Sequence, residues 1–378
     1  MSAEAEPVSP MYVASLWLTD FRCYDEAELT FSPGVTVISG ANAQGKTTLL
    51  EAVAWASRGK SFRGVPDAAL VRHGCERAIL RTEVADGERR QLLEAELRVQ
   101  GRNRVQLNRQ NVARTRDMLG LMQVSVFAPD DLQLVKGGPA MRREYLDELL
   151  TMVAPRYEAT RADFERVLKQ RNALLRGGMR GPDAATTLDV FDVQLARAGS
   201  ELVRGRLRLL ERLVPAVERA YAELAGTTTT VDAAYECSWS DTALHHDDDI
   251  DFVLRTALES KRRAEIDRGT TLAGPHRDEW RLRLGGLESR THASQGEQRT
   301  LALALRLGGH QLCTEITGTA PVLLLDDVFS ELDEGRSSAL TAHLTAGQTL
   351  VTTAGRVPEG VHADRVFHVE AGRVAVAA

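Results

Sequence analysis

The chain has 378 residues, of which 43% are hydrophobic, 26% charged and 5% aromatic, and its formal net charge is −6. This composition is typical of a globular protein with one large domain or two ordinary ones, and no stretch approaches the roughly 20 apolar residues that a membrane helix requires. The four cysteines are far apart and form no Cys-x-x-Cys pair, so they favour reduced thiols in a cytoplasm over a zinc site or a disulfide framework.

Strand patterns dominate the first third of the chain. Residues 1–10 are acidic and contain prolines, unlike a signal peptide, and they predict a short disordered tail. Strands are then predicted in VASLWLTDF, in AELTF and, after a Pro-Gly turn, in VTVI. The segment KTTLLEAVAWAS predicts a helix, residues 78–107 alternate like antiparallel strands, and VSVFAP predicts one more strand.

Long amphipathic helices dominate from residue 130 to residue 267. The segment PRYEATRADFERVLKQRNALLRGG carries apolar residues on one face, and its arginines are expected to form a solvated face. The pairs expected on that face are Arg161, Arg166 and Arg171 with Glu158 and Glu165. The segment 188–224 predicts one or two further helices, the last breaking near Pro215 or running to Leu224.

Strand patterns return in EWRLRLGG, PVLLLDD, TLVTTA and RVFHVEAGRVAVA. The simplest assembly is therefore one α/β domain split in sequence, residues 11–129 and 268–378, with an inserted helical lobe, residues 130–267. Inside that lobe, HHDDDID (245–251) predicts a solvated acidic loop, because consecutive residues cannot all point at one metal ion.

The segment GANAQGKT, which we call the phosphate loop (residues 40–47), follows a predicted strand and begins a predicted helix. In that context the pattern GxxxxGK[ST] predicts a loop whose backbone N–H groups surround a phosphate chain. Lys46 supplies a positive charge near the β- and γ-phosphates, and the Thr47 hydroxyl suits Mg²⁺. The residues predicted to bind ATP here are Gly40, Ala41, Asn42, Ala43, Gln44, Gly45, Lys46, Thr47 and Thr48.

The segment PVLLLDDVFSELD (321–333) carries four apolar residues that lead into two aspartates. This pattern predicts a buried parallel strand that delivers carboxylates to a site at its C-terminal end. Asp326 is predicted to hold Mg²⁺ and Asp327 to orient an attacking water, which makes Lys46, Asp326 and Asp327 the predicted catalytic residues.

The segment HASQGEQRTLALAL (292–305) predicts the start of a second helix whose first N–H groups lack helical partners. One interpretation is an ordinary capping box between Ser294 and Glu297. The other is a second phosphate-binding helix end that closes the γ-phosphate side of a nucleotide held by another copy of the chain, as a two-fold dimer would arrange. The order of the motifs favours the second, and the contacting residues, which we call the signature segment, are Ser294, Gln295, Gly296, Glu297 and Gln298.

Residues 98–116, which we call the arginine segment, contain six arginines and no acid. Such a segment can follow DNA phosphates even in an acidic protein, although a solvated strand and turn would explain it equally well. The residues predicted to contact DNA are Lys60, Arg63, Arg102, Arg104, Arg109, Arg114 and Arg116.

The order of these motifs is similar to that of the ABC-type ATPase heads of the SMC family. Further segments resemble the RecF family of bacterial recombination mediators, namely LTDFRCY (18–24), GKSFR (59–63), FAPDDLQLVKGGPAMRREYLD (127–147), LKQRNALLR (168–176) and GPHRD (274–278). The resemblance covers nearly the whole chain from Met11. It implies an α/β ABC/SMC-type ATPase head, split in sequence, with an inserted α-helical lobe.

The resemblance also implies a function. A member of this family is expected to bind ATP and Mg²⁺, to dimerise on ATP, and to bind gapped DNA or junctions of single and double strands. It is expected to act with RecR and RecO in loading RecA onto single-stranded DNA. Carried over by motif position, Arg22 is expected to contact the nucleotide, and the D-loop is expected to touch the partner subunit through Ser330, Glu331, Leu332 and Asp333.

The chain departs from general ABC ATPases at three points. Asp327 stands where they have a longer Glu, Thr352 and Thr353 stand where a switch His is usual, and no Q-loop glutamine is identifiable beyond the candidates Gln123 and Gln133. The shorter carboxylate and the missing His predict slow, DNA-stimulated hydrolysis that serves as a switch.

Three other functions are weighed against this one. A structural tether of the SMC type would insert very long coiled coils, whereas this insertion has about 137 residues in several pieces. A nucleotide-binding subunit of a transporter should carry the switch His and a membrane-coupling surface. A nuclease would need a metal-ligand cluster besides the ATPase aspartates.

Overall fold

The computed structural model of the chain describes residues 11–112, 117–118, 120–178, 183–344 and 347–377. Its strands are β1 (Tyr12–Phe21), β2 (Tyr24–Thr30), β3 (Val35–Ser39), β4 (Arg77–Asp86), β5 (Arg89–Arg98), β6 (Arg104–Leu107), β7 (Gln110–Asn111), β8 (Val124–Phe127), β9 (Val231–Glu236), β10 (Glu279–Leu284), β11 (Leu287–Glu288), β12 (Val322–Asp326), β13 (Thr349–Thr353), β14 (Arg365–Glu370) and β15 (Arg373–Val376). Its helices are α1 (Lys46–Arg58), α2 (Leu132–Lys136), α3 (Pro139–Val153), α4 (Arg156–Arg176), α5 (Ala184–Ala225), α6 (Ile250–Arg268), α7 (Ser289–His292), α8 (Gln295–Thr317) and α9 (Glu334–Thr341).

The chain forms two compact units. The first contains the residues up to Asp131, Glu223–Ala225 and the residues from Cys313, and the second contains Leu132–Ala222 and Gly226–Leu312. The first unit thus contains segments from both ends of the chain. The predicted tail at residues 1–10 lies outside the described residues.

The first unit contains two six-stranded sheets. One has the order β15-β14-β3-β13-β12-β8 and is parallel except at β15, whereas the other, β2-β1-β4-β5-β6-β7, is antiparallel throughout. Every residue of β12 and β13 is buried, which is why these strands have continuous apolar runs and no alternation. The strands predicted in this unit are confirmed.

Helix α1 contacts strands of both sheets and is buried along nearly its whole length. Leu50 and Trp55 pack in the same core as Leu16 of the antiparallel sheet and Leu324 of the parallel sheet. Burial on both sides fixes the axis of α1, and it therefore fixes the N-terminal end on which the phosphate loop is built.

The second unit is mainly helical, and its longest element is α5, a single helix of 42 residues. Of the two alternatives for this segment, the helix runs past Leu224 and does not break at Pro215. Pro215 is exposed, so the carbonyl that it leaves without a helical partner can be hydrated. A helix of this length spans about 63 Å.

The second unit also contains a three-stranded antiparallel sheet, β11-β10-β9. Strand β9 was not predicted, and this compact unit extends to Leu312, beyond the predicted end of the inserted lobe at residue 267. The difference has a physical cause, because β9 pairs with β10 along its length and the Tyr145 hydroxyl of α3 donates to the Leu305 carbonyl of α8.

The arginines of α4 differ from the prediction at two positions, in the partner of Arg166 and in the burial of Arg171. Arg161 pairs with Glu158 and Glu165, as expected, and Arg166 pairs with Asp163. Arg171 is fully buried, so placing it on a solvated face was wrong. Its guanidinium binds the carboxylates of Asp192 and Glu265 and the hydroxyl of Thr271, at 2.7, 2.6 and 2.9 Å.

Residues 245–251 lead into α6, where Asp249 caps the helix by accepting from the Phe252 backbone N–H. Asp248 in the same loop accepts from the His245 backbone N–H at 2.7 Å. Within the described ranges, no three His, Cys, Asp or Glu side chains are arranged to hold a metal ion. No helix in the described part of the chain combines the length and apolarity needed to cross a membrane.

Candidate nucleotide-binding site

The phosphate loop joins β3 to α1 through backbone that only glycine adopts easily. Gly40 has a φ of +151° and Gly45 a φ of +113°. A Cβ at Gly45 would lie 2.7 Å from Cys23 Sγ, and one at Gly40 would lie 2.2 Å from the Val369 carbonyl oxygen. The two glycines of the motif are therefore required by both conformation and space.

The loop is also fastened to the β14–β15 turn. The Gln44 side chain accepts from the Ala371 backbone N–H at 2.6 Å, and the Gln44 carbonyl accepts from the Gly372 N–H at 3.3 Å. The Gln44 side chain thus helps to hold the loop in place, and the predicted contact of this residue with ATP stays a prediction. Asn42 and Ala43 are exposed and line the cleft above the loop, as does Thr48, which is buried at the start of α1.

Lys46 and Thr47 direct their side chains to different partners. The Lys46 ammonium donates to the carbonyls of Gly40 and Ala41 at 2.7 and 2.8 Å. Burial lowers its pKa, while the nearby charges of Asp327 and Asp326 oppose that shift. The Thr47 hydroxyl donates to Asp326 Oδ1 at 2.8 Å, although the two residues are far apart in sequence.

Asp326 ends β12, whose neighbours in the sheet are β13 and β8. Because parallel strands end on the same edge, β12 delivers Asp326 to the edge where β3 enters the phosphate loop. Burial raises the pKa of Asp326, and the hydroxyls of Thr47 and Thr352 oppose this by donating to its carboxylate. The predicted parallel strand with a carboxylate at its end is confirmed.

Asp327 has a left-handed backbone with a φ of +51°. Its Oδ1 atom is buried without a hydrogen-bond partner among the residues that the structure describes. Asp327 lines an open cleft of about 580 Å³ together with Lys46, Thr47 and Asp326. The clustered hydroxyl and carboxylate oxygens are the hard ligands that Mg²⁺ prefers, so these side chains fit that ion.

Two arginines line the same cleft, namely Arg22 and Arg63. Arg22 has a left-handed backbone, and its guanidinium makes two bonds to the fully buried Glu51, at 2.9 and 3.1 Å. The Ser61 hydroxyl donates to the same carboxylate. Glu51 was not predicted as a site residue, because an acid inside an amphipathic helix is not recognisable as functional until its partner, here Arg22, is known.

The signature segment has the geometry of a capping box. The Glu297 side chain accepts from the Ser294 backbone N–H at 2.7 Å, and the Ser294 hydroxyl accepts from the Glu297 N–H at 3.3 Å. Ser294, Gln295 and Glu297 are exposed, and Gly296 is half-buried. Gln298 is buried and donates to the carbonyls of Ser289 and Arg290, so its side chain is not presented for a partner's nucleotide.

The D-loop follows Asp327 and is largely exposed. The Ser330 hydroxyl donates to the Asp327 carbonyl at 2.7 Å, and Asp333 caps α9 by accepting from the Arg336 N–H at 2.9 Å. Glu331 is exposed and Leu332 is half-buried. These bonds define the shape of the loop and leave its outer side accessible.

The predicted DNA contacts and Q-loop residues are dispersed. Arg102, Arg104 and Arg109 are exposed in the β5–β7 region, Lys60 and Arg63 follow α1, and Arg114 and Arg116 lie outside the described residues. Gln123 precedes β8 at the N-terminal edge of the parallel sheet, opposite to the edge that carries Asp326, so it is not placed as a Q-loop residue. Gln133 is exposed on α2 of the second unit.

Comparison with known proteins decides the family. A model described as the RecF/RecN/SMC N terminal domain matches residues 12–372. The DNA replication and repair protein RecF of Streptomyces avermitilis is 45% identical over 374 residues, which cover 96% of this chain and 99% of that protein. The chain belongs to the RecF family. RecF of Frankia alni is 46% identical over 355 residues, covering 91% of this chain and 93% of that protein.

Solved structures agree with the RecF assignment. A structure described as the recombination mediator protein RecF-ATP in the RecFOR pathway has a TM-score of 0.91 and 30% identity, and covers 100% of both chains. An Smc head domain derived from Pyrococcus furiosus has a TM-score of 0.57 and 15% identity over 97% of this chain and 96% of that chain, so it shares the fold. The predicted α/β ABC/SMC-type ATPase head is confirmed.

Proposed function

We propose that this chain is an ATP-dependent DNA-binding protein of replication and recombinational repair that dimerises when it binds ATP. Its membership of the RecF family, whose relatives are DNA replication and repair proteins, supports this role. A relative of the same fold and full length carries ATP. The observation that carries the proposal is the 2.8 Å contact between Thr47 of the phosphate loop and Asp326 at the strand end.

The site's own residues divide the work of ATP hydrolysis among them. The loop N–H groups and the Lys46 ammonium bind the phosphates and offset the charge that develops as the γ-phosphate leaves. Thr47 and Asp326 would hold Mg²⁺, which when bound would supply positive charge to offset that of the phosphates. Asp327, whose Oδ1 atom has no hydrogen-bond partner among the described residues, orients the attacking water, and the products are ADP and phosphate.

Hydrolysis is slow in this proposal, because Asp327 is one methylene shorter than the Glu of general ABC ATPases. A shorter side chain holds the water further from the γ-phosphate, and misplacement of about 1 Å can cost roughly 100-fold in rate. The ATPase is therefore a switch that sets how long the protein stays on DNA.

The signature segment completes the site across a two-fold dimer. Ser294 and Gly296 begin a helix of 23 residues, and the positive end of such a helix attracts the γ-phosphate held by the partner copy. We expect the exposed D-loop to contact the partner copy as well. An isologous dimer places two such nucleotides at one interface.

The pathway assignment follows from the family. We propose that the dimer binds gapped DNA or junctions of single and double strands, and that it acts with RecR and RecO to load RecA. Two related structures are described as belonging to the RecFOR pathway, and this name supports RecR and RecO as partners.

Particle mass in solution tests the dimer directly. Light scattering with ATP, with ADP and without nucleotide is expected to give a dimer with ATP alone, because only a triphosphate reaches both halves of the site. Ser294→Arg is expected to keep nucleotide binding by the monomer and to lose the ATP-induced dimer, because a bulky side chain blocks the helix end.

The control is Thr256→Arg, which adds the same charge at an exposed position of α6 in the second unit. This variant is expected to dimerise like the original chain. A Ser294→Arg protein that still dimerises on ATP contradicts the composite site, and an original chain that stays monomeric with ATP contradicts the proposed function as a whole.

A further inference from the structure

Thr352 is fully buried near the end of β13, where it stands opposite Asp326 in the parallel register with β12. Its Oγ1 atom lies 2.8 Å from Asp326 Oδ1 and 2.9 Å from the backbone nitrogen of Asp327. A backbone N–H can only donate, so the hydroxyl oxygen accepts from Asp327. The hydroxyl proton has two acceptors in reach, the Asp326 carboxylate at 2.8 Å and the Leu325 carbonyl at 3.5 Å, and the shorter distance favours the carboxylate. A single hydroxyl therefore binds both residues of the aspartate pair.

The bond to Asp327 holds a backbone conformation that the residue would not otherwise favour. Asp327 has a φ of +51°, which is sparsely populated by residues with a Cβ and persists where neighbouring contacts fix it. This conformation places Asp327 in the lining of the cleft, with Oδ1 buried and without a partner in the described part of the chain. The Asp327 carboxylate thus keeps an unused hydrogen-bond acceptor at the cleft that Lys46 and Thr47 also line.

The bond to Asp326 acts on the metal-binding side. Asp326 Oδ1 accepts from Thr47 and Thr352, each at 2.8 Å, so two hydroxyls fix the orientation of this carboxylate. Asp326 is thereby tied to the phosphate loop on one side and to β13 on the other.

We propose that Thr352 is a positioning residue for ATP hydrolysis, which sets the aspartate pair in place from the strand position where general ABC ATPases carry a histidine. The inference rests on the proposed function, since it assigns a role within the same site. Thr352 acts through Asp326 and Asp327 and does not need to touch the nucleotide.

The test compares variants under single-turnover conditions with the full-length protein in excess over ATP and with Mg²⁺ present. Thr352→Val keeps the size and the branched shape of the side chain and removes both hydrogen bonds. We expect the hydrolysis rate to fall about 10- to 100-fold, because small displacements of catalytic groups have effects of that size. We expect ATP affinity and the ATP-dependent dimer to stay within a factor of about two, because the phosphate loop is unchanged.

A matched pair separates the hydroxyl from the packing. Thr352→Ser and Thr352→Ala leave nearly the same space, so only the hydroxyl differs between them, and Ser is expected to hydrolyse ATP much faster than Ala. Thr349→Val removes a buried hydroxyl from the other end of the same strand, which donates to the Leu344 carbonyl at 3.4 Å, and is expected to leave the rate unchanged.

Two results would overturn the inference. One is a Thr352→Val protein that hydrolyses ATP at the original rate. The other is an equal hydrolysis rate for the Thr352→Ser and Thr352→Ala proteins. The comparison of Ser with Ala also decides the question if the Val variant does not fold. Either result leaves the proposed function standing as long as the original chain dimerises on ATP and hydrolyses it. An original chain that does neither contradicts the proposed function first.

Discussion

The surroundings of His276 hold its imidazole in the neutral form. His276, in the segment 274–278, packs against Phe164 with ring centroids 5.9 Å apart, and its Nε2 lies 3.4 Å from the Thr271 carbonyl. Its Nδ1 is buried and has no hydrogen-bond partner among the described residues. Burial lowers the pKa of His276 to about 4, and the nearby charges of Arg277, Arg143 and Arg171 act in the same direction.

His276 is therefore expected to make stability depend on pH. The imidazole has a pKa of 6.5 in the unfolded chain and of about 4 in the folded chain. Between these two pH values the unfolded chain binds a proton that the folded chain does not bind. The free energy of unfolding is therefore highest above pH 6.5 and decreases as the pH falls toward 4. A difference of this size corresponds to about 3 kcal/mol. His276→Gln is expected to remove that part of the pH dependence, measured by urea unfolding between pH 7.5 and pH 4.

The difference between the two unfolding curves isolates His276 from the carboxylates that also titrate in this range. His245→Gln is the control, because the His245 side chain is 75% exposed and lacks the burial that distinguishes His276. If the free energy of unfolding changes with pH in the same way for His276→Gln and for the original chain from pH 7.5 to pH 4, the neutral imidazole of His276 does not govern the pH dependence of stability.

At the scale of elements, the sequence predicted those helices, strands and loops whose position depends on a local residue pattern. The phosphate loop, α1 and β12 follow from glycine spacing, helical periodicity and an apolar run that ends in aspartates, and the structure has all three. Strand β9 was missed because only Val231 is buried in it and the rest of VDAAYE is half-buried or exposed, so no alternation appears. Its place is decided by β10, which lies far along the chain.

Element periodicity was also misleading at Arg171. The charged residues of α4 suggest one solvated face, yet Arg171 lies on the buried side with Phe164, Val167 and Leu175. Its partners come from α5 and α6, so no local pattern could reveal them. Thr352 likewise could not be recognised from a local pattern, because its contact with Asp326 depends on the register of β12 and β13.

The Arg171 cluster gives a prediction about how the helices of the second unit hold together. Replacing Arg171 by Met leaves the fully buried Glu265 carboxylate without its guanidinium partner. Breaking a buried ion pair in this way is expected to lower the free energy of unfolding by about 3–5 kcal/mol. Urea unfolding at neutral pH, followed by circular dichroism, measures the loss.

Arg161→Met is the matched control on the same helix. Arg161 pairs with Glu158 and Glu165 at a partly exposed position, where such pairs contribute about 0–1 kcal/mol. Equal losses for the two variants would mean that the Arg171 cluster is no stronger than a surface pair.

At the scale of the whole molecule, an acidic protein needs local positive charge to hold DNA. The net charge is −6, and the arginines on the antiparallel sheet are largely offset by acids: Arg77 and Arg98 bind Glu96, and Arg81 binds Glu94. Arg102, Arg104 and Arg109 are exposed, and within the described ranges they make no ion pair. The unbalanced charge of this sheet is thus concentrated toward β6 and β7.

Charge reversal at Arg102 and Arg104 tests whether this part of the arginine segment contacts DNA. Each phosphate neutralised on duplex DNA contributes about −0.9 to the slope of log affinity against log salt concentration. The double variant is expected to make that slope less steep by about 1.8 for each protomer if both arginines contact phosphates. Fluorescence anisotropy with gapped duplex DNA and ATP, across a salt series, measures it.

The control reverses Arg166 and Arg255, which are exposed and already paired with acids on the helices of the second unit. Both double variants have the same net charge, so a slope that changes in both reflects the field of the whole molecule. A slope that changes only with Arg102 and Arg104 places phosphates at β6, because condensed ions are released only where side chains replace them. A slope that changes with neither removes this surface from the DNA interface, while ATP binding, which depends on the phosphate loop, stays as it was.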